Sequence, residues 1–150
     1  MIIRDILNLK GGTIFSIPPT GRVSEAVSIM ARNDIGSLVV MEGAFMTGML
    51  TFREVLQALD AQRGNLDDLQ CSKVMVKDPI CGHPDDSVEH LREQMIQNHI
   101  RYLPVKEGDQ LLGVISFHDV AKAVIKETSF ENRLLKRYIK NWPEAEEPAK

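Results

Sequence analysis

Residues 23–59, VSEAVSIMARNDIGSLVVMEGAFMTGMLTFREVLQAL, lie without a gap on residues 88–124, VEHLREQMIQNHIRYLPVKEGDQLLGVISFHDVAKAV. One shift of 65, the distance from Val23 to Val88, pairs Met30 with Met95, Asn33 with Asn98, Ile35 with Ile100 and Leu38 with Leu103. It also pairs Val40 with Val105, Gly43 with Gly108, Gly48 with Gly113, Phe52 with Phe117 and Val55 with Val120, and upstream of the block Pro19 with Pro84. An ungapped match of this length at a single offset is hard to obtain by chance, so the chain holds two copies of one structural unit.

Each copy reads the same way. A short extended piece, Ile14 to Ile17 or Pro79 to Gly82, runs into a proline turn. The following helix places Val23, Ala26, Val27 and Met30 at i, i+3, i+4 and i+7, echoed by Val88, Leu91 and Met95. Two strands joined by a turn at Gly43 or Gly108 come next, and a second helix opens at Phe52 or Phe117. The expected fold is therefore mixed α/β (α+β): two β-α-β-β-α repeats that pair about a pseudo-two-fold axis. The sequence divides into a first repeat with an N-terminal segment (1–63), a polar connector around Gly64 (64–70) and a second repeat (71–126). A C-terminal helix extension (127–142) follows, then a disordered tail (143–150) after Pro143. The extension keeps an apolar stripe of Leu134, Leu135, Tyr138, Ile139 and Trp142, which fits either a partner surface or packing on its own chain.

The totals narrow the function. Hydrophobic residues make up 43% of the 150, enough for one core or two small ones, and the net charge of −3 provides no overall field for a nucleic-acid backbone. The N-terminus shows no cleavage signature and no stretch approaches a membrane span, so a cytoplasmic protein is expected. Two cysteines and four histidines lack the spacing of a metal site.

Both copies carry the same pattern where the second strand meets the second helix: Gly48-Met-Leu-Thr51-Phe-Arg-Glu54 and Gly113-Val-Ile-Ser116-Phe-His-Asp119. A glycine recurring inside a strand points to a bulge or to close approach of a ligand or another backbone. Thr51 and Ser116 stand at the helix cap, where free N–H groups and the positive end of the helix dipole can hold a phosphate. Glu54 and Asp119, one turn on, can accept hydrogen bonds from the two neighbouring hydroxyls of a ribose. The same residues also make a capping box, which requires no ligand.

The hydrophobic-Gly-hydrophobic-hydrophobic-Ser/Thr-x-x-Asp pattern, the segment Arg101-Tyr102-Leu103-Pro104-Val105 and the paired layout resemble tandem CBS domains, named for cystathionine beta-synthase, from Ile14 to Val124. The opening RDIL, the Lys10-Gly11 pair and the C-terminal helix further resemble short bacterial proteins made of little more than one such pair. The resemblance implies two clefts that take AMP, ADP, ATP, NAD or S-adenosylmethionine in different members, commonly within a homodimer, with no catalytic cofactor. It implies that Ser116 and Asp119 hold phosphate and ribose in one cleft and Thr51 and Glu54 in the other, with Arg53 on phosphate. Ser16, Cys81 and the stretch Arg101, Tyr102 and Pro104 would flank the adenine or its phosphates, and His118 stands beside Asp119. The chain departs from the family pattern at Glu54, where aspartate is usual, at Cys81, where many members carry threonine, and at His118, where a small residue or an arginine is frequent.

The implied function is a non-catalytic regulatory module that senses an adenine nucleotide and acts on an unidentified effector protein. No GxxxxGK, GxGxxG, GxSxG or HExxH motif supports an enzyme. The alternative is a structural dimerisation module with empty clefts. A nucleic-acid role would rest on Arg133, Lys136, Arg137 and Lys140, which a solvated helix face explains equally well.

Overall fold

The computed structural model describes residues 1–139. Helix α1 (Ile3–Lys10) is followed by β1 (Ser16–Ile17), α2 (Val23–Asn33), β2 (Ser37–Glu42), β3 (Phe45–Thr51) and α3 (Phe52–Ala61). A 3-10 turn (Cys71–Lys73), β4 (Val76–Lys77), α4 (Val88–Gln97), β5 (Tyr102–Glu107), β6 (Gln110–Ser116) and α5 (Phe117–Tyr138) complete the order. The architecture is mixed α/β, as the repeat implied.

The two halves match in register as well as in order. Val40 faces Gly48 across β2 and β3, Val105 faces Gly113 across β5 and β6, and each hairpin carries a register shift right after that valine. Gly43 and Gly108 turn the hairpins at φ 62° and 60°, a conformation that glycine reaches at no steric cost. The apolar positions of α2 (Val23, Ala26, Met30) and α4 (Val88, Leu91, Met95) are all buried. Ser87 caps α4 by accepting from the His90 N–H at 3.1 Å. The halves differ at their first extended pieces: β1 pairs in parallel with β2, whereas near 79–82 only Gly82 forms a bridge, to Val105.

The boundaries in space are not those expected along the chain. Ile3 and Ile6 of α1 pack into the second core with Val88, Leu91, Leu103, Ile115 and Val120, so the N-terminal segment does not join the first repeat. Conversely Cys71 is fully buried in the first core, and Leu66, Leu69, Val74 and Met75 pack against it. The polar stretch expected to be a bare connector thus contributes two leucines, and the opening of the second repeat completes the first. Backbone hydrogen bonds mirror the exchange: Cys71 N donates to Gly21 O at 2.8 Å, and Ile3 N donates to Asp86 O at 2.9 Å. β4 adds to the edge of β3, extending the first sheet to four strands while the second has two.

The paired strand glycines are explained by the same flanks. A Cβ on Gly48 would lie 2.6 Å from the Met75 sulfur and 2.8 Å from the Val76 carbonyl oxygen, and one on Gly113 would lie 2.9 Å from Leu7 Cδ2. What approaches these glycines is the chain's own flanking segments, not a ligand. At the C-terminus the second repeat's last helix and the expected extension are one continuous helix, α5. Phe130, Leu135 and Tyr138 are exposed on it, while Lys140, Trp142 and the tail lie outside the described residues. No helix among the described residues is long and apolar enough to cross a membrane.

Candidate functional site

Two clefts open where the halves meet, and each is built from both. The first, of about 390 Å³, is bounded by Thr13 to Phe15 and Asp34 to Ser37 together with Lys10, Arg101, Tyr102, Val114 and Ser116 to His118. The second, of about 430 Å³, is bounded by Thr51 to Glu54, Leu56, Gln57, Val76, Asp78 to Ile80 and Ile100 to Tyr102. Both volumes fall in the range of small-molecule sites, roughly 300–1,000 Å³.

Each cleft has a helix start at its floor, and the two starts are wired differently. In the Thr51 cleft the carboxylate of Glu54 is buried and serves its own helix. Its Oε1 accepts from the Thr51 N–H and from the Thr51 hydroxyl, both at 3.0 Å, and the Thr51 oxygen in turn accepts from Arg53 N at 3.3 Å. The hydroxyl proton of Thr51 is therefore committed within the protein. In the Ser116 cleft, Ser116 N donates to Asp119 Oδ2 at 2.9 Å and Asp119 N donates to Ser116 Oγ at 3.0 Å. The Ser116 side chain also hydrogen-bonds the Asp119 carboxylate, so both caps are closed within the protein.

Lys10 distinguishes the clefts further. Its Nζ donates to Asp119 Oδ2 at 2.6 Å and to the Val114 carbonyl at 2.8 Å, which brings the end of α1 onto the rim of the Ser116 cleft. Burial pushes the Asp119 carboxyl up, but the hydrogen bond and charge of Lys10, together with the bonds from Ser116, outweigh it and hold the group below its ordinary value of 3.8. The Thr51 cleft has no lysine in its walls; Asp78 stands on its flanking segment.

Arg101 and Tyr102 are shared by both clefts. The Arg101 guanidinium lies 5.2 Å from the centre of the Phe52 ring, and Tyr102 meets that ring edge-on at 6.2 Å. The Tyr102 hydroxyl is seated against Gly36, where a Cβ would collide with it. Arg53 lines the Thr51 cleft and donates to the His99 carbonyl at 3.1 Å, and His118 lines the Ser116 cleft.

Four sequence-predicted residues stand apart from the cleft walls. Ser16 is exposed on β1, Pro104 is buried in β5, and Cys81 donates its thiol to the Pro79 carbonyl at 3.2 Å; none is in a cleft wall. Burial pushes the Cys81 thiol up, against the pull of Lys106. The fourth, Asp119, is likewise absent from the walls, but it accepts from Lys10, which lines the first cleft. Sequence reasoning did not place Lys10, Thr13, Asp34 or Asp78 at the clefts. Lys10 lies outside the repeated block and its carboxylate partner is 109 residues away, so no local pattern exposes the pair. Thr13 and Asp78 are related by the same shift of 65, which is the signal that could have drawn attention to them.

A paired-repeat α/β module with a capped helix start at the floor of each cleft is the arrangement of a Bateman-type domain pair, and the comparisons agree. The CBS domain family model matches residues 3–61 and 71–126, and the chain belongs to that family. It is 31% identical over 108 residues to the CBS domain-containing protein YhcV of Bacillus subtilis, covering 72% of this chain and 76% of that protein. The crystal structure of a CBS-domain containing protein from Agrobacterium tumefaciens superposes with a TM-score of 0.78 at 27% identity, covering 82% of this chain and 98% of that one. A CBS domain protein from Pyrobaculum aerophilum, solved in complex with AMP, shares the fold with a TM-score of 0.73 at 24% identity, covering 87% and 99%. In other curated relatives the matched region is a small part of a longer protein, 13% in one and 22% in another.

Proposed function

We propose that this protein is a non-catalytic sensor that binds an adenine nucleotide, AMP, ADP, ATP or NAD, in its clefts, and that the cleft floored by Ser116 and Asp119 is the stronger site. The observation that carries the reading is the meeting of Lys10 with the start of α5 at one cleft, where Lys10 and Ser116 line the wall and Lys10 binds Asp119. A phosphate at that helix start meets free N–H groups and the positive end of the dipole, and Asp119 is the carboxylate proposed to take the ribose hydroxyls. The complex with AMP of the Pyrobaculum relative supports an adenosine ligand, and structures of another pair hold 5-methylthioadenosine and S-adenosylmethionine. Occupancy would be reported to an effector protein from a cytoplasmic homodimer. A thermal-shift panel of AMP, ADP, ATP, NAD, S-adenosylmethionine and GMP tests the reading, because a ligand that binds only the folded state stabilises it by RT ln(1 + [L]/Kd). A shift with an adenosine nucleotide that exceeds the shift with GMP is expected; equal shifts, or none, would remove the proposal.

A second reading, a structural dimerisation module, is favoured by one observation. Phe130, Leu135 and Tyr138 are 61%, 57% and 85% exposed on the far half of α5.

A further inference from the structure

The ammonium group of Lys10 is held at the mouth of the Ser116 cleft by two acceptors, Asp119 Oδ2 and the Val114 carbonyl. An ammonium carries three donors, so one N–H has no protein acceptor among the described residues, and the side chain is 38% exposed where it lines the cleft. The lysine is delivered by α1, which is anchored in the second core through Ile3 and Ile6, so its charge has a fixed place relative to the start of α5. Asp119 Oδ2 accepts from Lys10 and from Ser116 N, and the Ser116 side chain also hydrogen-bonds the carboxylate. The lysine therefore offers the cleft one cationic donor, held in place by Asp119 and set beside Ser116 in the wall.

We propose that Lys10 is the specificity-determining residue of the Ser116 cleft: its third N–H binds the 5′-phosphate of a nucleotide whose ribose is held by Asp119, so that this cleft selects phosphorylated nucleosides over unphosphorylated ones. The inference rests on the nucleotide reading above and adds a contact supplied by α1 and absent from the Thr51 cleft.

Calorimetric titration of the full chain and of Lys10→Met and Lys10→Arg with AMP and with adenosine tests this. Loss of a charge-assisted hydrogen bond corresponds to roughly ten-fold or more in affinity. Lys10→Met is expected to weaken AMP by about that factor and to leave adenosine no weaker, and Lys10→Arg is expected to retain AMP to within a few-fold. An Lys10→Met protein that binds AMP as tightly as the unaltered chain, or more tightly, overturns the proposal, as does a loss shared equally by AMP and adenosine or one that arginine does not restore. If the unaltered chain itself binds no AMP, the nucleotide reading fails together with the inference; if it binds AMP and only the lysine variants behave otherwise than expected, the inference alone fails.

Discussion

Glu54 and Asp119 occupy equivalent points of the repeat and do different things. Glu54 is enclosed and accepts from its own helix start, whereas Asp119 accepts from its helix start and also from Lys10. Asp119→Ala is therefore expected to remove most of the nucleotide binding, since a charge-assisted hydrogen bond contributes about 1.5–3 kcal/mol. Glu54→Ala is expected to lower stability by about 0.5–2 kcal/mol and to leave the tighter site in place. Titration calorimetry of the two variants decides it, and the reverse outcome would exchange the roles of the clefts. The depressed pKa of Asp119 has a signed consequence: its contribution to stability is present in full above the ordinary value of 3.8 and is lost as pH falls through the lower folded value. The difference in urea midpoint between the unaltered chain and Asp119→Asn should accordingly be largest near neutrality and shrink below pH 3.8. A difference that stays constant into acid would show that the carboxylate gains nothing from its partners. Cys71, which burial and then Glu25 push up to about 11, should resist a thiol reagent at pH 8 in the folded chain and react once unfolded. At this scale the hydroxyl and the acid were legible because each is fixed by local spacing at a helix start. The lysine was not, because only the folded chain brings residue 10 to residue 119.

Among the elements, the hairpins and the helices that follow them were the most legible, since two copies of one apolar pattern constrain each other. The strand glycines were seen, but the reason for them was not: the partners are Met75, Val76 and Leu7, on segments that the repeat shift does not align. Their environments differ in how far they can yield. The Cβ of Gly48→Ala would meet a backbone oxygen, which cannot move alone, while that of Gly113→Ala would meet the end of a leucine side chain. Gly48→Ala is expected to cost about 1–3 kcal/mol by overpacking, and Gly113→Ala less than that. Chemical denaturation of both variants checks the order. Cys81 and Ser16 were drawn toward the clefts by analogy with the first strands of the family, but the bridge at Gly82 and the two-residue β1 leave those side chains outside the walls.

For the molecule as a whole, the pairing of two repeats was legible and their exchange of flanks was not, because a hydrophobic residue in a sequence does not say which of two similar cores it enters. The exchange makes each core depend on chain from outside its own repeat. On the proposed homodimer, the exposed side chains of α5 supply the expectation that truncation after Lys126 weakens association more than it lowers the melting temperature. Light scattering of the full and truncated chains across micromolar concentrations measures it, and unchanged dimerisation of the truncated chain would place the contact on the other helices. The burial of α1 in the second core also has an outcome during synthesis. The first core is complete in sequence once Met75 has been made, but the surroundings of Ile3 and Ile6 extend to Ala123. From Met75 to Ala123 is 123 − 75 = 48 residues, and at roughly 5–20 residues per second translation crosses such a span in about 2–10 seconds. For that interval the nascent chain carries a finished first half and an α1 whose core is not yet made, so a ribosome paused in the second repeat would hold out two exposed isoleucines as a ready target for chaperones.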